Sequence, residues 1–248
     1  MKPEVFIKRT RIEASAEQLF RWHARPGALM RLTPPWESVE EELVEGVGIE
    51  VGARVALRVR IGPFYRQWIS EHRVCDEGQF FFRDEQVKGP FVRWDHLHRF
   101  EPADPGGCYL KDHIEYVLPL GLLGKLFGGR FVRRKLERMF DYRHRVTAQD
   151  MAAHRACGGG KPLNILVTGS SGLIGSALVP FLTTGGHRVV RLVRMQRPSR
   201  ERTIAWNPSA RMVNTAELEG LDAVVHLAGE GIATGRWTPE KKAKIRDS

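Results

Sequence analysis

The chain has 248 residues, of which 42% are hydrophobic and 27% charged; this composition excludes a disordered or collagen-like protein and allows two ordinary domains. The net charge of +10 invites a nucleic-acid function, but lysine and arginine are spread over both halves and no nucleic-acid-binding motif is present. No apolar run approaches the roughly 18 residues that a membrane-spanning helix needs.

The start of the chain and its cysteines indicate a compartment. The first residues lack the apolar core of a signal peptide. Cys75, Cys108 and Cys157 are widely spaced, without a Cys-x-x-Cys pair, which is typical of reduced thiols rather than of a disulfide framework. We therefore predict a cytoplasmic protein with neither a membrane nor a nucleic-acid partner.

The N-terminal half predicts an antiparallel sheet. Residues 4–12 alternate as a strand, and Ser15 with Gln18 forms a capping box that opens a short helix. Further alternating runs, separated by turn residues such as Gly62 and Pro63, predict a meander of strands. These runs cover residues 55–61, 65–74, 79–83, 91–100 and 109–118.

A long amphipathic helix is predicted from about residue 122 to residue 152. Its apolar side carries Leu122, Leu126, Val132, Leu136, Met139 and Phe140. The order of elements, with a strand, one or two short helices, a run of antiparallel strands and a long C-terminal helix, resembles the START/Bet v 1-like (SRPBCC) family of polyketide cyclase and ligand-transport domains. The resemblance implies an α+β helix-grip fold, in which the sheet curls around the helix and leaves an apolar cavity.

Aromatic side chains on the predicted strands are candidates to line such a cavity. They are Trp68, Phe80, Phe82, Trp94 and Phe100. The alternative is that they simply fill a core.

Four histidines also fall on predicted strands. His96 and His98 are two residues apart and share a face, whereas His72 and His113 lie on other strands. Because no cysteine or carboxylate lies at ligand spacing, we predict no metal site. Exposed or hydrogen-bonded histidines are the expected arrangement.

A linker is predicted at residues 153–162, because glycines at 158–160 followed by Lys161 and Pro162 cannot continue a helix. The predicted domains are therefore a START/SRPBCC-like domain over residues 1–152 and a second domain over residues 163–248.

A glycine-rich turn opens the second domain. The apolar run Ile165 to Val167 predicts a buried strand, and Gly169, Gly172 and Gly175 follow before a helical pattern begins. In a dinucleotide-binding turn, the first glycine permits a sharp bend, the second lets pyrophosphate approach the backbone, and the third lets helix and sheet pack closely. The N–H groups of the first helical turn then face the phosphates.

Residues 168–175 resemble the TGxxGxxG element of extended and atypical short-chain dehydrogenase/reductases. Residues 226–233, 236–242 and 245–248 resemble the YfcH-like NAD-dependent epimerase/dehydratase subgroup, some members of which carry an N-terminal START-like domain. The resemblance covers about the last third of the chain. It implies an α/β Rossmann domain with a parallel sheet, of which residues 163–248 form the N-terminal, nucleotide-binding half.

The second predicted strand, at residues 189–193, bears on the choice of cofactor. Residues 151–200 contain no acidic residue to bind a ribose 2′-hydroxyl, whereas Arg191, Arg194 and Arg197 lie in this neighbourhood. A guanidinium matches a 2′-phosphate in charge and geometry. We therefore predict NADP(H) in preference to NAD(H), with Arg194, at the strand end, as the principal phosphate ligand.

Residues 221–229 predict a buried parallel strand whose end meets the cofactor crevice. Trp206 is placed on the connection before it, either near the adenine or in the core. No metal ligand is predicted here either. The predicted cofactor-binding residues are Gly169, Ser170, Ser171, Gly172, Leu173, Ile174, Gly175, Arg191, Arg194, Leu227, Ala228 and Gly229.

Catalysis in the resembled family uses a tyrosine with a lysine four residues later. None of the four tyrosines, at positions 65, 109, 116 and 142, has that lysine, so we predict no catalytic residue. Residues 164–248 supply three or four of about six strands of a doubly wound sheet. The chain is expected to hold the nucleotide half, to lack the catalytic half, and to be inactive alone.

Three functions follow from these patterns. The leading one is an NADP(H)-binding short-chain dehydrogenase/reductase-type epimerase or oxidoreductase fused to a START-like ligand-binding domain. The alternative is a carrier or sensor that holds an apolar small molecule in the N-terminal domain. The third, a basic nucleic-acid-associated protein, predicts strongly salt-dependent binding to DNA or RNA. The substrate and the oligomeric state are not predicted.

Overall fold

A computed structural model describes residues 2–157, 161–195, 201–233 and 235–248. The chain divides into two compact units between residues 159 and 160, and each unit is described by itself.

The first unit contains a seven-stranded antiparallel sheet with the strand order β1-β7-β6-β5-β4-β3-β2. Its strands are β1 (Glu4–Ile12), β2 (Val39–Glu45), β3 (Arg54–Ile61), β4 (Phe64–Asp76), β5 (Phe81–Lys88), β6 (Arg93–Ala103) and β7 (Gly107–Val117). Its helices are α1 (Ala16–Ala24), α2 (Ala28–Leu32) and α3 (Gly121–Ala156). The element order confirms the START-like arrangement that the sequence predicts, with two short helices after β1 and with β2 as an additional strand.

Helix α1 begins where the sequence predicts. The Ser15 side chain accepts a hydrogen bond from the backbone N–H of Gln18, and the Gln18 side chain accepts one from the backbone N–H of Ser15. Leu19 and Trp22 are fully buried and Phe20 nearly so. The helix therefore anchors one end of the core.

Helix α3 is buried only along part of its length. Leu136 and Phe140 are 4% and 0% exposed and pack in one cluster with Phe6 and Ile114 of the sheet. Leu126, expected on the same face, is 76% exposed, and the side chain of Leu122 lies outside the described residues. The apolar period continues through the first turns of the helix, but among the side chains that the structure describes, apolar packing in the sheet cluster begins at Val132. The helix also extends four residues beyond the predicted end at 152.

The aromatic residues considered for a cavity lining pack in two clusters. Phe80, Phe82 and Phe100 belong to one, and Trp68 and Trp94 belong to the other, with ring centroids 5.2 Å apart. Phe100 is fully buried, and its ring lies 6.1 Å from that of Phe82. These contacts favour the core-packing alternative for all five residues.

The second unit contains a five-stranded sheet with the order β11-β10-β9-β8-β12. The strand pairs β10/β9, β9/β8 and β8/β12 are parallel, and β10/β11 is antiparallel. Its elements are β8 (Asn164–Thr168), α4 (Leu173–Thr184), β9 (Arg188–Val193), β10 (Thr203–Asn207), β11 (Met212–Val213), a 3-10 turn (Thr215–Leu218), β12 (Ala223–His226) and α5 (Pro239–Asp247). Helix α4 continues past the buried Pro180 to Thr184, and Gly185 is its C-cap residue.

Two sequence predictions for this unit are wrong in detail. The strand predicted at residues 221–229 spans only Ala223–His226, and Val224 is 62% exposed because β12 pairs with β8 alone, at the edge of the sheet. Trp206 lies in strand β10 rather than on a connection, and it packs against the buried Ile204 cluster. Core packing is therefore its structural role.

None of the helices in the described ranges combines the length and the apolar character required to cross a bilayer.

The contrast along α3 predicts how substitutions change stability. Phe140→Ala should lower the free energy of unfolding by about 3–5 kcal/mol, because it removes a fully buried ring and leaves a cavity. Phe131→Ala, on the same helix at a site 69% exposed, should change it by less than about 0.5 kcal/mol. Urea unfolding followed by circular dichroism measures both, and equal losses would contradict the packing described for α3.

Candidate functional site

Two of the three glycines after β8 allow close packing of backbone on backbone. Gly169 has a φ of +64°, and a Cβ added there would lie 2.6 Å from the carbonyl carbon of Leu227. A Cβ at Gly175 would lie 2.3 Å from the carbonyl oxygen of Gly169. Any larger residue at either position would force the strand, the helix and the segment after β12 apart.

Gly172 differs from the other two glycines. Its φ of −75° and ψ of 176° are accessible to any residue, and an added Cβ would approach only the Gly169 carbonyl oxygen, at 3.2 Å. Backbone strain therefore does not require a glycine here, although an added Cβ would require the Gly169 carbonyl to shift by a few tenths of an ångström. The space beside it suits a group that must come close to the main chain.

Helix α4 begins at this open space without a side-chain cap. The N–H groups of its first turn have no partner within the helix. Helices α2 and α3 also begin without a side-chain cap, whereas Ser15 caps α1 and Thr238 caps α5 through side-chain hydrogen bonds. Leu173 and Ile174, in the first turn of α4, are 93% and 65% exposed. The helix start thus presents donors and apolar surface together, and its dipole favours an anion.

A buried threonine hydroxyl joins the two loops of the site. Thr168 Oγ1 accepts hydrogen bonds of 3.0 Å from the backbone N–H groups of both Leu227 and Ala228. It lies 2.8 Å from Nδ1 of His226, toward which the hydroxyl proton can be donated. Thr168 lies in the glycine-rich motif, but a hydroxyl that bridges two distant segments leaves no local signal in the sequence.

The arginines after the glycine turn differ in their surroundings. Arg194 is exposed and directly follows β9. Arg191 forms an ion pair of 2.6 Å with Glu201, so part of its charge is already compensated. Arg197 lies outside the described residues.

The predicted residues other than Arg191, which lies within β9, are placed at the carboxyl ends of adjacent parallel strands. Residues 169–175 follow β8, residues 227–229 follow β12, and Arg194 follows β9. The chain passes from β8 to β9 on one side and returns to β12 on the other. This reversal is a topological switch point, where open α/β sheets bind ligands. Ser170 is buried at the turn and Ser171 is exposed.

Comparison with known families agrees with this division of the chain. Residues 12–140 match the family described as polyketide cyclase / dehydrase and lipid transport. Residues 165–247 match the NAD dependent epimerase/dehydratase family, which suggests a dinucleotide cofactor.

Individual relatives extend the second match. An epimerase family protein of Mycobacterium bovis is 42% identical over 84 residues, or 34% of this chain and 28% of the relative. An epimerase family protein of Bacillus subtilis is 34% identical over 88 residues, or 35% of this chain and 29% of the relative. The chain therefore spans less than a third of the length of these relatives.

A solved structure is similar to nearly the whole chain. A nucleoside-diphosphate sugar epimerase of Corynebacterium glutamicum has a TM-score of 0.73 at 28% identity, over 98% of this chain and 48% of that one. This structural similarity covers both units of the chain, and the family match covers residues 12–140 of the first unit. The chain belongs to the polyketide cyclase / dehydrase and lipid transport family, and an NAD dependent epimerase/dehydratase segment follows its family domain.

Proposed function

We propose that the second unit is the nucleotide-binding half of a Rossmann domain and that it holds NADP(H) for a short-chain dehydrogenase/reductase-type epimerase or oxidoreductase. The observation that carries the proposal is the open space at Gly172 beside the uncapped start of helix α4. A diphosphate fits such a site, because it needs close main-chain approach, unpaired N–H donors and a favourable helix dipole.

The surroundings of this turn support a dinucleotide rather than a single phosphate. The exposed side chains of Leu173 and Ile174 offer apolar surface beside the phosphate donors. The segment Leu227 to Gly229 is held against the turn by Thr168, so it can border the ribose and nicotinamide. The switch point between β8 and β12 leaves room for a ligand that extends across both strands.

The residues of this chain bind and orient the cofactor and leave the chemistry to groups elsewhere. When bound, the cofactor supplies a hydride donor or acceptor at its nicotinamide ring. None of the four tyrosines precedes a lysine by four positions, so this segment offers no acid/base pair of the resembled kind. We expect the chain to bind cofactor without turnover.

The preference for NADP(H) rests on charge. Arg194 is exposed at the carboxyl end of β9, where a guanidinium can pair with a ribose 2′-phosphate. Arg191 is a weaker candidate because Glu201 pairs with it.

The match of the first unit to a family that includes lipid-transport proteins suggests an apolar ligand there. The aromatic side chains predicted to line a cavity instead pack with one another in two clusters. The carrier or sensor alternative thus loses the residues on which it was based, and we propose the nucleotide function.

A substitution at Gly172 tests the phosphate site. Gly172→Val should lower the affinity for NADPH at least about tenfold, because the new side chain fills the space and blocks the hydrogen bonds to the helix start, which for a charged group contribute about 1.5–3 kcal/mol. Gly185→Ala is the control, since Gly185 has a φ of −69° at the opposite end of α4 and should bind normally. Calorimetric titration measures affinity, and thermal unfolding shows that both variants are folded. Unchanged affinity in folded Gly172→Val would overturn the proposed site.

The cofactor preference has its own test. Arg194→Ala should weaken NADPH binding about tenfold or more while NADH binding stays constant, because only NADPH carries the 2′-phosphate. Arg188→Ala removes an equally exposed arginine from the amino end of β9 and should change neither affinity. If wild-type protein binds NADH and NADPH equally and Arg194→Ala alters neither, the NADP(H) assignment is wrong.

A further inference from the structure

The interior face of the first unit carries buried carboxylates and imidazoles that the nucleotide function does not use. Asp84 lies on β5, His96 and His98 on β6, and Asp112 on β7, and these strands are adjacent. The register places Asp84 opposite His96 and Asp112 opposite His98. His96 and Asp112 are 3% exposed, and His98 is 8% exposed. Titratable groups at this depth need partners.

Each of the two imidazoles lies between the two carboxylates. His96 Nε2 and His98 Nδ1 lie 2.7 and 2.9 Å from Oδ1 of Asp112. The opposite nitrogens, His98 Nε2 and His96 Nδ1, lie 3.3 and 3.6 Å from Oδ2 of Asp84. Two imidazole nitrogens and one carboxylate oxygen therefore converge, all within 4.8 Å of one another.

The 3.3 Å separation of His98 Nε2 from Asp84 Oδ2 fits the edge of a metal coordination shell, and the 3.6 Å separation of His96 Nδ1 is slightly longer. A tetrahedral zinc ion with ligand bonds of 2.0–2.1 Å requires ligand atoms about 3.3–3.4 Å apart. A direct charge-assisted hydrogen bond would instead be about 2.7–2.9 Å long, as on the Asp112 side. The 3.6 Å separation of His96 Nδ1 from Asp84 exceeds a hydrogen bond.

The Asp112 side has the form of an outer shell around a metal ion. Metal-binding histidines usually donate their second N–H to a carboxylate, which fixes the tautomer and orients the ring. Asp112 accepts from both His96 and His98, and its second oxygen lies 2.6 Å from Nε2 of His144. Asp84 is oriented in the same way, because its Oδ1 accepts a hydrogen bond of 2.5 Å from Ser70.

We propose that Asp84, His96 and His98 bind a divalent transition metal ion, with Zn²⁺ the ion best matched to the ligand set, and that Asp112 orients both imidazoles. Two histidines and one carboxylate leave a fourth position for water or a bound molecule, the form that catalytic zinc and iron sites take. His72 is a further candidate for that position. It opposes Asp84 in the register, and its Nδ1 is buried without a hydrogen-bond partner in the described part of the chain.

Apolar rings surround these ligands. Phe82 stacks on His98 with ring centroids 4.1 Å apart, and Phe140 contacts His96 edge-on at 5.4 Å. Such a shell limits access of water and strengthens the electrostatic interactions of a bound ion.

The competing occupant is a proton. Burial lowers the pKa of His98, but the charges and hydrogen bonds of Asp112 and Asp84 outweigh burial and raise it above its ordinary value. An imidazolium between two carboxylates would then complete the cluster without a metal. Metal binding distinguishes the two possibilities, because only a metal site takes up one equivalent of Zn²⁺ per chain.

The test is equilibrium dialysis of the full chain against Zn²⁺, with bound metal measured by mass spectrometry. Wild-type protein should bind one Zn²⁺ per chain with high affinity. Asp112→Asn should lower that affinity about 10–100-fold, and His98→Gln and Asp84→Asn should lower it further because each removes a ligand. His113→Gln is the matched control, since His113 follows Asp112 on β7 and points to the opposite face of the sheet.

A second measurement keeps the test decisive if a variant fails to fold. Co²⁺ bound to wild-type protein should give the intense visible absorption of a tetrahedral nitrogen and oxygen site, and Zn²⁺ should displace it. Absence of stoichiometric Zn²⁺ and of this spectrum in folded wild-type protein would overturn the proposal. Equal Zn²⁺ binding by folded His98→Gln, or loss of binding in His113→Gln, would overturn it as well.

Discussion

The second unit depends on the close contact between the turn after β8 and the segment after β12. Gly169 has no side chain to hold the two backbones apart, and the buried hydroxyl of Thr168 ties them together through the N–H groups of Leu227 and Ala228. This contact fixes the carboxyl end of the sheet at the switch point. The start of helix α4 is then presented beside the segment 227–229, so one constraint creates both walls of the proposed cofactor crevice.

In the first unit, the register between neighbouring strands brings the buried carboxylates and imidazoles together. Alternation predicts which residues of one strand share a face, and it correctly pairs His96 with His98. It contains no information about which residue of the next strand lies opposite, because a shift of the register by two residues preserves the same alternation. Asp84 and Asp112 meet the histidines through the register of β5/β6 and β6/β7. The neighbouring strands β5 and β7 therefore supply the carboxylates, which the spacing of residues along β6 alone does not reveal.

The positions of helices, strands and turns were predicted from the sequence more accurately than the burial of individual side chains. The capping box at Ser15, the strand Glu4–Ile12 and the glycine turn after β8 all carry local chemistry, and each lies where it was expected. Leu126 and Val224 were misjudged because exposure depends on what packs against an element, and neither residue faces a neighbouring layer in this chain. At the proposed cofactor site, glycine spacing predicted the turn, whereas the Thr168 bridge and the Arg191 ion pair with Glu201 required knowledge of the fold.

The glycine motif is a weaker argument for nucleotide binding than its three residues suggest. Gly169 and Gly175 are explained by packing alone, since any Cβ would collide with backbone atoms at 2.6 Å or less. A strand-turn-helix corner with no ligand would need both of them equally. Gly172 has an ordinary backbone conformation, and an added Cβ would approach only the Gly169 carbonyl oxygen. Helix α4, like α2 and α3, begins without a side-chain cap, whereas side chains cap α1 and α5. An uncapped helix start forgoes about 0.5–2 kcal/mol of stability, and an anion bound at the start of α4 would take the place of the missing cap.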